Sequence, residues 1–287
     1  MNLLTNTVLL KENELKKVLK EIQNKKKIWN EENKVFIVKS MIKHIGSIDS
    51  ELRDQLIYGS FYQLIIEKNL LEHALLIELL DLGLSDLLFK GIGGTETDTV
   101  FTRSFTSLLI ALILYRDNED NFLSQSMVYK IKDKLIDYIS LENDLRGYIA
   151  VKGWAHSIAH VADAFDELVK NPKINQEFYL DILKTLWNKI FVSTSVYAHD
   201  EDERILIPIM EMLNRGLEQE EIETLIQNVP TKLKSQKEQI EAEKYWFLYF
   251  NCKTFLKSFY IKVQSNSNLI PLQNSLKECL SSISLYN

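Results

Sequence analysis

The chain has 287 residues, 46% apolar and 26% charged, with 34 Lys and Arg against 40 Asp and Glu for a net charge of −6. It is long enough to bury a sizeable core, and its composition is that of a globular protein. The acidic balance makes nucleic acid an unexpected partner, because phosphate binding draws on clustered cations.

Nine glycines and four prolines are too few to turn the chain every ~8–12 residues, as a sandwich or barrel requires. Apolar residues instead recur at three- and four-residue spacings almost throughout, which predicts an all-α protein. The first predicted helix, 8–29, carries Lys16-Lys17 and Lys25-Lys26-Lys27. Glu12, Glu14 and Glu21 interrupt this run at helical spacing, the pattern of a solvated face. Helices over 34–45, 49–68, 70–81 and 84–90 follow, with Ser50 placed to cap the second of these four. Gly91, Gly93 and Gly94 then open a polar connection in which Thr95 and Asp98 have capping-box-like spacing. Glycines before a helix N-terminus can expose N–H groups to an anion. No G-K-[ST] follows and no strand precedes, so a flexible link between helices is expected.

The helices predicted next are 97–116, 121–140, 154–170, 174–192, 202–215, 218–228, 237–263 and 272–284. Asn171-Pro172 closes one and Gly216 another. Pro208 either kinks its helix or starts it. The longest apolar run, Leu108 to Tyr115, is far short of the ~20 residues that span a bilayer. Met1-Asn2-Leu3-Leu4 lacks the features of a secretory signal. Cys252 and Cys279 are far apart and outside any C-x-x-C, as in reduced cytoplasmic proteins.

Short links favour antiparallel neighbours, and a dozen similar helices cannot share one bundle axis. Stacked antiparallel pairs in a HEAT- or armadillo-like superhelix would accommodate them, although no repeat of ~40–47 residues is visible. A globular multi-helix domain is the alternative. A single domain over 1–287 is expected, with a C-terminal helical pair from about 237 as the one candidate subdivision.

Candidate chemistry gathers between residues 91 and 204. At about 100° per residue, Trp154, Ile158, Val161, Phe165 and Leu168 form a core stripe. Ala155, Ala159 and Ala162 form a strip for close helix approach. His156, His160 and Asp163 lie on a third strip, one turn apart. Imidazoles at i and i+4 with a carboxylate beyond could hold a divalent metal, although Ser157 stands where H-E-x-x-H has its glutamate. The same residues can equally be a polar helix face. Residues 199–204, His-Asp-Glu-Asp-Glu-Arg, read either as an acidic first turn suited to the helix dipole or as a segment whose His199, Asp202, Glu203 and Arg204 face the histidines across a groove. Arg103, Arg116 and Arg146 are the nearby cations.

The block Asp144-Leu145-Arg146-Gly147, Lys152-Gly153-Trp154-Ala155-His156, Ala159-His160 and Asp163 resembles the most recognisable part of a bacterial all-helical family catalogued only as a domain of unknown function. Arg103-Ser104-Phe105 and Glu201-Asp202-Glu203-Arg204 are similar to two further blocks. The resemblance covers roughly residues 90 to 210. It implies a cytosolic helical protein and brings no activity with it.

Two functions remain open. One is a helical-repeat-like binding protein whose polar groove is built from 97–116, 154–170 and 199–215, lined by Arg103, Arg146, Trp154, His156, His160, Asp163, His199, Asp202, Glu203 and Arg204. Its partner would be a protein or a small polar ligand, without a membrane. The other is a metal-dependent hydrolase that uses His156, His160 and Asp163 as ligands.

Overall fold

A computed structural model describes residues 9–284; the expectation drawn from Met1-Asn2-Leu3-Leu4 and the start of the first predicted helix at residue 8 lie outside them. The protein is all-α, with one two-stranded ribbon among the described residues. It divides into two compact units, 1–173 and 174–287. The break falls after Lys173, one residue past Pro172.

In the first unit, α1 (Glu12–Gln23) and α2 (Glu31–Lys43) precede a long helical stretch, 51–67. Only its centre, α3 (Gly59–Tyr62), is α-helical; Glu51–Tyr58 and Gln63–Glu67 are wound as π-helix. Arg53, Ile57, Phe61 and Ile65 are buried at every fourth position. An ideal α-helix would let such a row drift around its axis, whereas i→i+5 winding holds more residues per turn and keeps it on one face. Ser50 makes no side-chain cap; Asp49 accepts the Leu52 amide at 3.1 Å instead.

α4 (His73–Ser85) continues into a 3₁₀ turn, Leu87–Phe89, where a separate helix over 84–90 was expected. The core is organised by α5 (Thr99–Asp120), buried nearly all round. α5 has the length and apolarity to cross a bilayer, but 83% of its apolar window is buried inside the protein, as in a central core helix. α6 (Gln125–Leu141) follows, then β1 (Tyr148–Ile149), β2 (Gly153–Trp154) and α7 (Ser157–Lys170). α5 packs chiefly on α7, skipping its chain neighbour α6. Ala159 and Ala162 are buried on α7, consistent with a strip for close helix approach, whereas Ala155 is buried but precedes the helix.

The second unit contains α8 (Tyr179–Asn188), α9 (Glu201–Asn214), α10 (Gln219–Lys237), α11 (Ala242–Val263) and α12 (Ile270–Ser282). Pro208 lies inside α9, not at its start. Gly216, with φ +99°, ends that helix in the left-handed region, and the Leu217 amide bonds back to Met212 at 2.9 Å. α10 packs most closely on α12 and α9 on α11. In both units, then, important pairings skip a helix, unlike a regular stack of consecutive pairs.

Candidate ligand-binding site

The 144–163 block departs from the expected helix at its start. α7 begins at Ser157, and residues 144–156 form an irregular antiparallel ribbon. β1 pairs with β2, and the pairing continues through Ala155 N to Gly147 O at 2.8 Å and His156 N to Arg146 O at 3.0 Å. Gly153 makes the turn possible: its φ is +79°, and a Cβ there would lie 2.7 Å from Ser50 Cβ.

Trp154 is therefore not the head of a core stripe. It is 39% exposed on β2, edge-on to Tyr148 at 4.9 Å and tilted over His156 at 4.3 Å. The rest of the stripe, Ile158, Val161, Phe165 and Leu168, is buried as expected. His156 occupies the N-cap of α7 with a left-handed backbone, φ 47° and ψ 40°. This conformation is uncommon outside glycine and recurs at functional positions.

His160 lies in the first turn of α7, its ring edge-on to His156 at 5.6 Å and to Phe105 at 5.2 Å. His160 Nδ1 is 2.7 Å from Ser104 Oγ on α5, and both residues are buried. The Ser104 hydroxyl donates its one proton to the Ala155 carbonyl, which can only accept. Nδ1 of His160 is then placed to donate to Ser104, and in a neutral imidazole this puts the lone pair on Nε2. Ser104 is thus committed to holding a histidine and a turn, not poised as a nucleophile.

The support beneath this ribbon is polar and buried. Arg53, fully buried, donates from Nη2 to Lys152 O at 2.7 Å and Trp154 O at 3.3 Å, and from Nη1 to Ser47 O at 2.7 Å. Its guanidinium lies over Phe101 at 4.1 Å and Phe105 at 4.9 Å. Arg53 Nε is 2.7 Å from Asp54 Oδ1 in an ion pair. Burial lowers the Arg53 pKa and the Asp54 charge partly offsets it; burial raises the pKa of Asp54, and Arg53 and the Trp154 amide pull it back.

Arg103 corrects the expectation of a groove-lining cation. It is fully buried and bidentate to buried Glu142, with Nε–Oε2 2.6 Å and Nη2–Oε1 2.8 Å. Nη1 closes the glycine connection by donating to Lys90 O, Gly91 O and Thr99 Oγ1 at 2.8, 3.2 and 2.9 Å. Burial opposes its charge, but Glu142 outweighs this and leaves the pKa raised. Glu142 Oε1 also accepts the Asp144 amide at 2.9 Å, and Asp144 grips Arg146 at 2.6 and 2.7 Å. Arg146 Nη2 reaches Thr97 O at 2.9 Å, and Ser157 Oγ donates to Asp144 O at 2.6 Å. Arg146 is thus half-buried and partnered within the ribbon. Arg116 pairs with Asp120 at the far end of α5. Asp163 is half-buried one turn past His160, and among the described residues it forms no cluster with the two imidazoles at metal-ligand separations.

In the second unit, Asp200 occupies the N-cap position of α9 with a left-handed backbone, φ 63°, and makes no side-chain cap bond. Glu201 Oε2 accepts the His199 amide at 2.9 Å, and burial pushes the Glu201 pKa up. Buried Asp202 accepts the Ser258 hydroxyl at 2.8 Å. Glu203 is exposed and 3.3 Å from Lys262, and Arg204 is half-buried. The acidic first turn is thus present, with Glu201 and Asp202 facing inward.

Spacing alone did not reveal Ser104, Arg53, Asp54, Glu142 or Tyr148. Arg53 had one sequence signal, a charge in the four-residue row with Ile57, Phe61 and Ile65.

No curated protein and no solved structure matches the chain. The family model described as "Protein of unknown function (DUF2785)" matches residues 88–261, which include the ribbon, both histidines and the 199–204 segment. That match covers well over half of the sequence, and the chain belongs to this family.

Proposed function

We propose that this is a cytosolic binding protein and that Tyr148, Trp154 and His156, with His160 beside them, form its recognition surface. The fitting ligand is small and polar, with a flat face for the indole and a hydrogen-bond donor for an imidazole. The observation that carries this is the support: a fully buried arginine, a buried serine and a left-handed histidine hold one short, partly exposed aromatic ribbon. Fixing an exposed cluster from beneath is how binding sites are preorganised, and burying charge only to shape a loop is a poor route to stability. The free thiols at Cys252 and Cys279 fit a reducing compartment.

The test is a small-molecule screen by thermal shift and by indole fluorescence. Hits should lose at least tenfold in affinity in Trp154→Ala and in His156→Ala, with the fold retained by circular dichroism. Hits indifferent to both substitutions would sink the proposal.

A second reading is favoured by the His160 tautomer. A metal-ligating histidine commonly donates its other ring N–H to a fixed acceptor, as Nδ1 does to Ser104. His160 and His156 would then hold a divalent transition metal, which could activate water for hydrolysis. Elemental analysis of untagged protein separates the readings. Zinc near one equivalent, lost in His160→Ala, favours the metal; absence of bound metal after zinc loading and desalting favours the organic ligand.

A further inference from the structure

The second unit carries an exposed feature that the ribbon does not account for. α11 buries one side through Leu248, Cys252, Phe255, Leu256 and Phe259. Elsewhere on it, Trp246 is 49% and Phe250 48% exposed, large apolar side chains that a helix facing only water would not carry. They border an open cleft of about 460 Å³ whose lining includes Val196, Thr254, Lys253 and Lys257. Val196 is held there by buried Asn251, which accepts the Tyr197 amide at 2.9 Å and donates to Ser195 O at 2.9 Å and Val192 O at 3.0 Å.

Positions 246, 250, 253 and 257 are spaced four, three and four, so they share one helical stripe. Its N-terminal half is aromatic and its C-terminal half cationic. Lys253 bonds only to the Tyr249 hydroxyl, at 3.1 Å, and among the described residues neither lysine is paired with a carboxylate. In a chain of net charge −6, two lysines without a carboxylate beside two exposed aromatics make a positive local field. The stripe spans twelve residues, eleven steps and about 16 Å at 1.5 Å per residue. That is three helical turns, a longer contact than one compact small molecule makes.

We propose that this stripe docks an amphipathic helical segment of a partner protein, with apolar residues in one half and acidic residues in the other. Its apolar side chains, one turn apart, lie against Trp246, Phe250 and Val196, while its carboxylates meet Lys253 and Lys257. This is helix-in-groove recognition, with aromatic anchors for affinity and charge for register.

The experiment is selection from a display library of helix-forming 16-residue peptides on the full chain. Counter-selection uses the variant Trp246→Ser/Phe250→Ser/Lys253→Glu/Lys257→Glu. Enriched peptides should share an apolar pair four residues apart, with Asp or Glu one and two turns beyond. One enriched peptide, fluorescein-labelled, should bind the wild-type chain in anisotropy titrations and weaken with added salt. Lys253→Glu/Lys257→Glu should weaken it at least tenfold without changing the circular dichroism spectrum, and exchanging its acids for lysines should restore binding to that variant. Three results would overturn the proposal: no enrichment over the counter-selected variant, enrichment without acidic residues, or concentration-dependent dimerisation of the chain abolished by Trp246→Ser/Phe250→Ser. The last would assign the stripe to a second copy. Saturable competition by decanoate stronger than by any selected peptide would likewise overturn it, in favour of a small amphiphilic anion.

Discussion

Replacing Arg103 by Met should be among the most damaging single changes in the first unit. The methionine roughly fills the space of the arginine stem but leaves Glu142 fully buried without its cation. Removing one partner of a buried pair costs roughly 3–5 kcal/mol, because the remaining charge is uncompensated. The lost bonds to Lys90 O and Gly91 O add little, since both residues are exposed and water can replace the donor. The charge therefore dominates. In Arg103→Met/Glu142→Leu the charge is gone, and the remaining cost is the buried Asp144 amide that Glu142 accepted, about 1–3 kcal/mol. The double variant should thus be more stable than the single by about 2 kcal/mol. Native-state hydrogen exchange of α5 peptides (99–120) reads this directly, because their buried amides exchange through opening of the core. At about 1.4 kcal/mol per tenfold, the single variant should exchange roughly a hundred- to several-thousandfold faster than wild type. Exchange within threefold of wild type, or a double variant no slower than the single, would refute the idea that the pair is a buried charge clamp.

Gly153→Ala should cost at least about 2 kcal/mol, since it combines left-handed backbone strain with a Cβ at 2.7 Å from Ser50 Cβ; unchanged urea unfolding would refute the turn geometry. Trp154→Ala should cost less than about 1.5 kcal/mol, because the indole is 39% exposed, and a melting temperature many degrees lower would restore it to the core. Burial pushes the Cys252 thiol up to about 12 and Cys279 to about 11, so both should resist an aromatic disulfide reagent at pH 8 until the chain is unfolded. The folded pKa values lie above the unfolded ones. The thiols' contribution to stability is therefore complete below about pH 8.5 and falls as pH rises toward 11–12, by ~1.4 kcal/mol per pH unit for each thiol. Stability that holds level from pH 8.5 to 10.5 would count against it.

Periodicity made the helices legible because burial of one face imposes it locally. α5, α6, α9 and α11 begin within about five residues of their predicted starts. The π winding of 51–67 was not legible, although its four-residue row of buried positions was in view. The error at Trp154 came from starting α-helical geometry there, directly after Gly153 and across His156, both left-handed in φ. Glycine was the available warning at the first; nothing local marks a histidine for that conformation. The pairings Arg103–Glu142 and Arg53–Lys152 span 39 and 99 residues, and no local pattern encodes contacts at such separations. The sequence does mark the 144–163 block as unusual, through its two histidines, tryptophan and glycines.

Much of the support beneath the ribbon reaches its main chain. Arg53 holds the carbonyls of Lys152 and Trp154, and Ser104 holds that of Ala155. The side chains of Tyr148, Val151 and Trp154 are exposed and take no part in those three bonds. Their identities are therefore decoupled from the scaffold's integrity. Substitution at these three positions can retune what the surface recognises while the support beneath stays as it is. The fold thus offers a small replaceable reading head on a fixed mount, and variants randomised at 148, 151 and 154 should remain folded.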